Sequence, residues 1–287
     1  MDTKKEFREI QKKEVPFSNF IDFLHACVGD DRFKSRFEFV NSTKTKVSIV
    51  GICLKEFFSQ IQLYQKEVEI LKTDGYVDGL QHLTLIVKYE TFLNSIYSLM
   101  ENIAQIIFSL YPKKSLPRMF HEQKDRILKD STIDTGYSKI LEKLEWYDEV
   151  RSMRSEFTHF LTGMLVSFED DIPGYINKPK SQRKDTLEKI EIKNVIQHAQ
   201  YIYDNLVKFL EAFGKHFIDL INRDVRVLEI CGLTQDFFVG TKLISYNEKK
   251  DGKAGICQTF KLDCPKANDC EARKNTDLET GQERNTI

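Results

Sequence analysis

The chain has 287 residues, of which 41% are hydrophobic and 30% charged, so one large core or two small ones can be built. Its 43 basic and 44 acidic side chains give a formal net charge of −1, which excludes a globally basic nucleic-acid-binding protein. Only 13 Gly and 6 Pro stand against 21 Phe, and this balance favours long helices over a turn-rich β fold.

The sequence carries no targeting or membrane-spanning signal. The charged N-terminus leads into no apolar segment of the kind that a signal peptide needs. The longest apolar run, from Thr91 to Pro112, is interrupted by Asn94 and Glu101, which is typical of an amphipathic helix. We therefore expect a cytoplasmic protein without a membrane partner.

Residues 1–77 are predicted to form a helical N-terminal extension. A short helix with an apolar face begins at Phe17 and is broken at Gly29–Asp31. The β-branched run Lys46–Leu54 fits a strand, but no second run follows to pair with it. We interpret it as the start of a helix that continues to Leu71.

Residues 78–224 have the longest and most regular helical pattern. The first helix is predicted from Leu80 to Tyr111, with Asp78 as its N-terminal cap and Pro112 as its stop. A second periodic stretch begins near Tyr137 and continues to Val166.

A loop is expected over residues 168–188, with a short basic cluster at Lys178–Lys184, and a third long helix over Leu187–Asn222. This pattern predicts an all-α fold, a bundle of long antiparallel helices with a small irregular C-terminal appendage.

The C-terminal appendage is predicted over residues 225–270. Asp236–Tyr246 and Ala254–Lys261 fit two short strands. Residues 271–287 are polar and offer almost nothing to bury, so we expect a disordered tail.

Four cysteines in this region are candidate metal ligands, namely Cys231, Cys257, Cys264 and Cys270. The six and five residues between the last three exceed the usual two to four of zinc sites. We therefore expect free thiols and no cofactor, with a structural zinc as the alternative, since a small, weakly hydrophobic segment gains from a metal.

Two residues in the second periodic stretch suggest chemistry. Arg154 and His159 are separated by four residues, and they combine a permanent cation with the side chain that titrates near neutral pH. Attack of an RNA 2′-hydroxyl on its own phosphate needs a base for the hydroxyl proton and a cation for the developing charge. Five positions on a helix separate two side chains by about 140°, so the pair diverges within one chain.

The segment Arg151–Phe160 resembles the Arg-x4–6-His motif of the HEPN superfamily, all-helical proteins that include many metal-independent RNA endonucleases. The resemblance covers residues 78 to 223, and Phe160 fits the apolar position after the histidine. Ser155 departs from the pattern, because HEPN nucleases often carry an amide, acid or imidazole there.

The resemblance implies a toxin-type or defence-type endoribonuclease that works without a cofactor. His159 would be the general base and Arg154 the phosphate clamp, with a homodimer completing the site and RNA as the partner. Glu101 and Asn102 on the preceding long helix are implied as supporting residues.

Ser155 and Glu156, which lie between the motif residues, are further supporting candidates. The alternative for Glu156 is a surface ion pair with Arg151 or Arg154, of little energetic value.

A non-catalytic HEPN-like helical module, which binds a protein partner or oligomerises, is the alternative. Ser155 and the balanced charge favour it. For the single residues the alternative is structural: Arg154 would extend along a helix edge, His159 would be hydrogen-bonded in the core, and Glu101 would lie on a solvated helix flank.

Overall fold

The computed structural model describes residues 18–159, 163–167, 172–177, 190–221, 226–233, 239–245, 255–257, 270–278 and 280. Within these residues the chain is predominantly helical, with eight α-helices and two small antiparallel sheets. The predicted class, a helical bundle with a small irregular C-terminal part, is confirmed. The predicted charged arm before Phe17 and the basic cluster Lys178–Lys184 lie outside the described residues.

The chain breaks after the first helix where the sequence predicted it. Helix α1 (Ser18–Gly29) is followed by a 3-10 helix (Asp31–Arg36) and by the 38-residue helix α2 (Phe37–Asp74). The Asp30 carboxylate caps the 3-10 helix by accepting from the backbone N–H of Arg32 at 2.9 Å. The β-branched run Lys46–Leu54 lies inside α2 and is helical. This agrees with the interpretation that it is not a strand, which we based on the lack of a second run to pair with it.

Helix α3 (Leu80–Leu110) lies beside α2 and is mostly buried along one face. As predicted, Asp78 accepts a hydrogen bond from the backbone N–H of Leu80, at 3.0 Å. The buried Glu67 of α2 accepts from the backbone N–H of His82 at 2.9 Å, which joins the end of α2 to the start of α3. At the other end Asn102 donates to Ser42, so the two helices are antiparallel.

Three shorter helices follow: α4 (Phe120–Lys129), α5 (Thr135–Leu141) and α6 (Glu145–His159). The predicted continuous helix from Tyr137 to Val166 is therefore wrong. The chain turns between α5 and α6, where the backbone N–H of Leu144 bonds to the carbonyl of Leu141 at 3.2 Å. After α6 the chain forms a strand.

This strand belongs to the first sheet, which consists of β1 (Met164–Ser167), β2 (Pro173–Asn177) and β3 (Ile190–Ile192) in that order. The predicted loop over 168–188 thus contains a strand. Leu165 is buried and Met164 exposed, an alternation with period two that fits a strand and not a helix.

Helix α7 (Val195–Phe217) begins later than the predicted start at Leu187, and a 3-10 helix (Ile218–Leu220) follows it. The side chain of Asn194 sets the start, because its Oδ1 accepts from the backbone N–H groups of Ile196 and Gln197, both at 3.0 Å.

The second sheet is antiparallel, in the order β4 (Arg226–Leu233), β5 (Val239–Ser245), β6 (Ile256–Cys257). Strands β5 and β6 lie within the two predicted segments, whereas β4 was not predicted.

Helix α8 (Glu271–Lys274) corrects the expectation of a disordered tail at these residues. Ala272 and Thr276 are buried, and the Thr276 hydroxyl accepts from the backbone N–H of Cys257 at 2.7 Å. Residues 281–287 lie outside the described part of the chain.

The described residues form two compact units. One is Asn41–Leu210, and the other combines Ser18–Val40 with the part from Glu211 onward. These limits do not follow the boundaries at residues 77 and 224 that we expected. The second unit has an aromatic core in which the Phe213 ring lies 5.3 Å from that of Phe23 and 4.5 Å from that of Phe217.

No described helix combines the length and the apolar character needed to cross a membrane.

Candidate functional site

Helix α6 carries both residues of the motif and packs against α3. Its buried face includes Trp146, Tyr147, Val150 and Met153. This apolar face fixes the rotation of the helix, so it decides which way the neighbouring polar side chains point.

Arg154 lies at the edge of the buried face. Its guanidinium carbon is 4.7 Å from the centroid of the Tyr97 ring on α3, a cation–π contact. Its Nε is buried and has no hydrogen-bond partner among the described residues. Arg154 forms no ion pair with any carboxylate in the described part of the chain, so no direct partner neutralises its charge.

Further aromatic rings pack against Tyr97. The rings of Tyr97 and Tyr147 are nearly parallel, with centroids 6.5 Å apart and an interplanar angle of 10°. Phe120, the first residue of α4, packs edge-on against Tyr147 at 4.9 Å. Three helices therefore hold the surface on which Arg154 rests.

Glu101 belongs to the same cluster. Its Oε2 accepts from the backbone N–H of Phe120 at 3.3 Å, while its Oε1 is buried without a hydrogen-bond partner among the described residues. Burial, followed by the negative charge of Glu101, raises the pKa of Tyr97, and the charges of Arg154 and Arg151 oppose that rise. The negative charge of Glu101 and the positive charges of Arg154 and Arg151 therefore all act on the hydroxyl of Tyr97.

His159 is the last residue of α6 and is exposed. It makes no hydrogen bond and no ion pair with the described residues. The alternative in which His159 is a hydrogen-bonded core histidine is therefore wrong. Arg154 rests against α3, whereas His159 is open to solvent, so one chain does not bring the two side chains together; Phe160 lies outside the described residues.

The other predicted supporting residues lie elsewhere. Asn102 donates to the hydroxyl of Ser42 at 2.7 Å and joins α3 to α2. Glu156 is buried, two positions from Arg154 and hence about 200° around the helix, and its Oε2 has no hydrogen-bond partner in the described part of the chain. Ser155 is half-buried. Of these candidates, only Glu101 acts on the aromatic partner of Arg154.

Sequence reasoning missed Tyr97 and Tyr147 as parts of the site. Aromatic residues at helical spacing are typical of a buried helix face, so the pattern alone does not mark either tyrosine as part of a site. The one available signal is that Tyr97 lies four residues before Glu101, so the two share a face of α3.

A second polar cluster joins three helices on the other side of α6. The Tyr89 hydroxyl lies 2.7 Å from Nδ1 of His198, and Nε2 of His198 lies 3.0 Å from the Glu149 carboxylate. Burial raises the pKa of Tyr89 well above its ordinary value, which keeps the phenol neutral. Both ring nitrogens of His198 therefore have partners, and the cluster links α3, α6 and α7.

Next to it, Glu90 accepts from the Tyr175 hydroxyl at 2.8 Å and from the backbone N–H of Gly163 at 3.1 Å. Burial raises the pKa of Glu90, and these two hydrogen bonds partly counteract the rise. The bonds fasten the first sheet to α3.

Among the described residues, no three His, Cys, Asp or Glu side chains form a group suited to a metal ion. Within the described part of the chain, Cys257 and Cys270 are not joined in a disulfide bond. The side chain of Cys231 and the whole of Cys264 lie outside the described part, so the zinc alternative stays a hypothesis.

No family model, no curated protein and no solved structure matches this chain.

Proposed function

We propose that the chain is a HEPN-like endoribonuclease that cleaves RNA without a metal ion. The supporting observation is that neither Arg154 nor His159 has an ion-pair partner among the described residues. Arg154 rests on Tyr97 without an ion pair in the described residues, and His159 is exposed without a partner there. A buried arginine nitrogen with a purely structural role would be expected to have a hydrogen-bond partner, and Nε of Arg154 has none among the described residues.

In the proposed reaction His159 takes the proton of an RNA 2′-hydroxyl, and the 2′-oxygen attacks the adjacent phosphorus. The bond from phosphorus to the 5′-oxygen breaks, and that oxygen receives a proton. The products are a cyclic phosphate and a 5′-hydroxyl end. Arg154 stabilises the negative charge on the phosphate oxygens, because a guanidinium binds two oxygens of one phosphate.

The proposal includes a homodimer. Arg154 and His159 diverge by about 140° on one helix, so a two-fold axis beside α6 would place Arg154 of one copy near His159 of the other. A toxin or defence role is part of this proposal and follows from the resemblance alone.

The proposal is tested by incubating the purified full chain with single-stranded RNA in excess chelator. We expect wild type to cut, His159→Ala to lose on the order of 10²–10⁴-fold in rate, and Arg154→Ala to raise the barrier by about 3–4 kcal/mol. Thr158→Ala and Arg126→Ala, both at exposed positions, are the matched controls and should cut normally.

Absence of cleavage by folded wild type, with or without divalent metal, would contradict the proposal. So would unchanged cleavage by both variants of the pair.

The second candidate is a non-catalytic module for partner binding or oligomerisation. It is favoured by a group of exposed aliphatic side chains on α2 and α3, which a single copy leaves in contact with water.

A further inference from the structure

A second arginine lies beside Arg154 on α6 and has no role in the cleavage step proposed above. Arg151 is exposed and precedes Arg154 by three positions. Residues three positions apart are neighbours on a helix surface, with Cβ atoms about 5–6 Å apart. We call Arg151 and Arg154 the arginine pair.

Both members of the arginine pair act on the same tyrosine of α3. The guanidinium carbon of Arg154 lies 4.7 Å from the centroid of the Tyr97 ring. Burial raises the pKa of Tyr97, and the positive charges of Arg154 and Arg151 oppose this rise. Burial also raises the pKa of Tyr147, and here too the charge of Arg151 opposes the rise. The two cations therefore lie close to one pair of parallel tyrosine rings.

The carboxylates around the arginine pair do not neutralise it. Asp148, three positions before Arg151, forms an ion pair with Lys124 of α4. Glu101, which acts on the same tyrosine, accepts from the backbone N–H of Phe120 at 3.3 Å. Neither arginine has an ion-pair partner in the part of the chain that the structure describes. The two positive charges thus exceed the single negative charge of Glu101, and an anion can balance the excess.

Arg151 also lies between the two motif residues around the circumference of α6. At about 100° per residue, it is about 60° from Arg154 in one direction and about 80° from His159 in the other. Arg151 and His159 are both exposed, so solvent reaches this face of the helix. A strand bound at Arg154 and His159 therefore comes within reach of the long, flexible side chain of Arg151.

We propose that Arg151 binds the phosphate next to the scissile one, so that the arginine pair contacts two consecutive phosphates of an RNA strand. This inference rests on the proposed function, in which Arg154 binds the scissile phosphate. Consecutive phosphates are separated by one nucleotide, a spacing that two flexible arginines on neighbouring helix positions can match. Arg151 then contributes to substrate binding and not to the chemical step, and the substrate must carry a charged phosphate beside the one that is cut.

The first test measures binding separately from cleavage. A fluorescent 2′-O-methyl RNA oligonucleotide has no free 2′-hydroxyl and cannot be cut by the proposed reaction, so its Kd is measured by anisotropy over a series of salt concentrations. Arg151→Gln and Arg154→Gln should each raise the Kd about tenfold. Each should also lower the slope of log Kd against log salt concentration by about 0.7, the value for one phosphate contact in a single strand.

Two further variants serve as controls for this measurement. Arg151→Lys keeps the positive charge and should keep the salt slope, because the slope reports the number of neutralised phosphates. Arg126→Gln removes an exposed arginine of α4 and is the matched control, which should leave both the Kd and the slope unchanged.

The second test asks which phosphate Arg151 contacts. The substrate is a strand with one ribonucleotide in a 2′-deoxy background, in which a neutral methylphosphonate replaces the phosphate on one or the other side of the cleavable one. On one of the two sides the neutral linkage should raise the KM of wild type about tenfold with kcat unchanged, as Arg151→Gln does on the unmodified strand. Combining the variant with that linkage should have no further effect, because both changes remove the same contact.

The two tests separate this inference from the proposed function. Binding that depends on Arg151 in a chain that cuts no RNA would support the phosphate contact and contradict the proposed function alone. Cleavage by Arg151→Gln with an unchanged KM, together with an unchanged salt slope, would overturn the inference and leave the proposed function intact. A wild type that binds no oligonucleotide at low salt would also overturn the inference, as would effects of the variant and of the neutral linkage that multiply.

Discussion

The guanidinium carbon of Arg154 lies 4.7 Å from the centre of the Tyr97 ring, so a cation on α6 rests on an aromatic side chain of α3. Tyr97 in turn lies parallel to Tyr147. The arginine is positioned by the packing of two helices and not by a carboxylate partner, which leaves its charge available to an anion.

A double-mutant cycle measures this contact. Arg154→Met and Tyr97→Leu should show a coupling free energy of about 0.5–1 kcal/mol in urea unfolding, as for other cation–π pairs at partly exposed sites. Tyr97→Phe keeps the ring and should keep the coupling. Zero coupling would mean that Arg154 is held by something else.

His198 connects buried Tyr89 to exposed Glu149. His198→Phe should lower the free energy of unfolding by about 1–3 kcal/mol, because the fully buried Tyr89 hydroxyl loses its partner. Glu149→Gln keeps an acceptor at the surface and should cost less than about 1 kcal/mol. In a Tyr89→Phe background the effect of His198→Phe should shrink, and equal effects in both backgrounds would contradict this account.

The raised pKa of Glu90 gives stability a pH dependence of known sign. Burial raises it above the ordinary 4.5, so the folded state holds the proton more tightly than the unfolded state does. The contribution of protonated Glu90 to the free energy of unfolding is therefore complete below pH 4.5, and it is lost as the pH rises through the pKa of Glu90 in the folded state. Glu90→Gln keeps an oxygen that can accept from Tyr175.

We accordingly expect Glu90→Gln to be more stable relative to wild type at pH 7 than at pH 4, as measured by denaturant unfolding at both pH values. The opposite trend would mean that the hydrogen bonds from Tyr175 and Gly163 outweigh burial.

Gly214 in α7 permits a close approach of α1. A Cβ built there would lie 2.3 Å from the backbone nitrogen of Phe20, which cannot move as a flexible side chain can. Gly214→Ala should therefore destabilise the fold by about 1–3 kcal/mol. Gly51→Ala in α2, where no atom lies within 4 Å of the added carbon, should instead stabilise it by about 0.5–1 kcal/mol. A neutral Gly214→Ala in thermal unfolding would contradict the close approach.

The long helices were predictable because their periodicity is local. The spacing of buried residues in α3 and the Asp78 cap are both present in the sequence. The strands β1 to β3 were not predictable from the sequence. Segments of three to five residues are too short for a clear hydrophobic alternation, and their pairing joins segments that are distant in sequence.

The candidate site, too, was predictable only where the signal is local in sequence. The spacing of Arg154 and His159 is a local signal, and Glu101 was found on the preceding helix. The contact of Arg154 with Tyr97 and the exposure of His159 depend on how α6 packs, which no local pattern determines.

The most direct test of the account uses an RNA with a single cleavable site and the same RNA with a 2′-deoxy nucleotide immediately before it. Incubated in chelator with the full chain, the all-ribose strand should be cut to products ending in a cyclic or 3′ phosphate, and the deoxy strand should stay intact, because the 2′-hydroxyl is the nucleophile. Cleavage of the deoxy strand, products with a 5′ phosphate, or no cleavage of either strand would contradict the central claim.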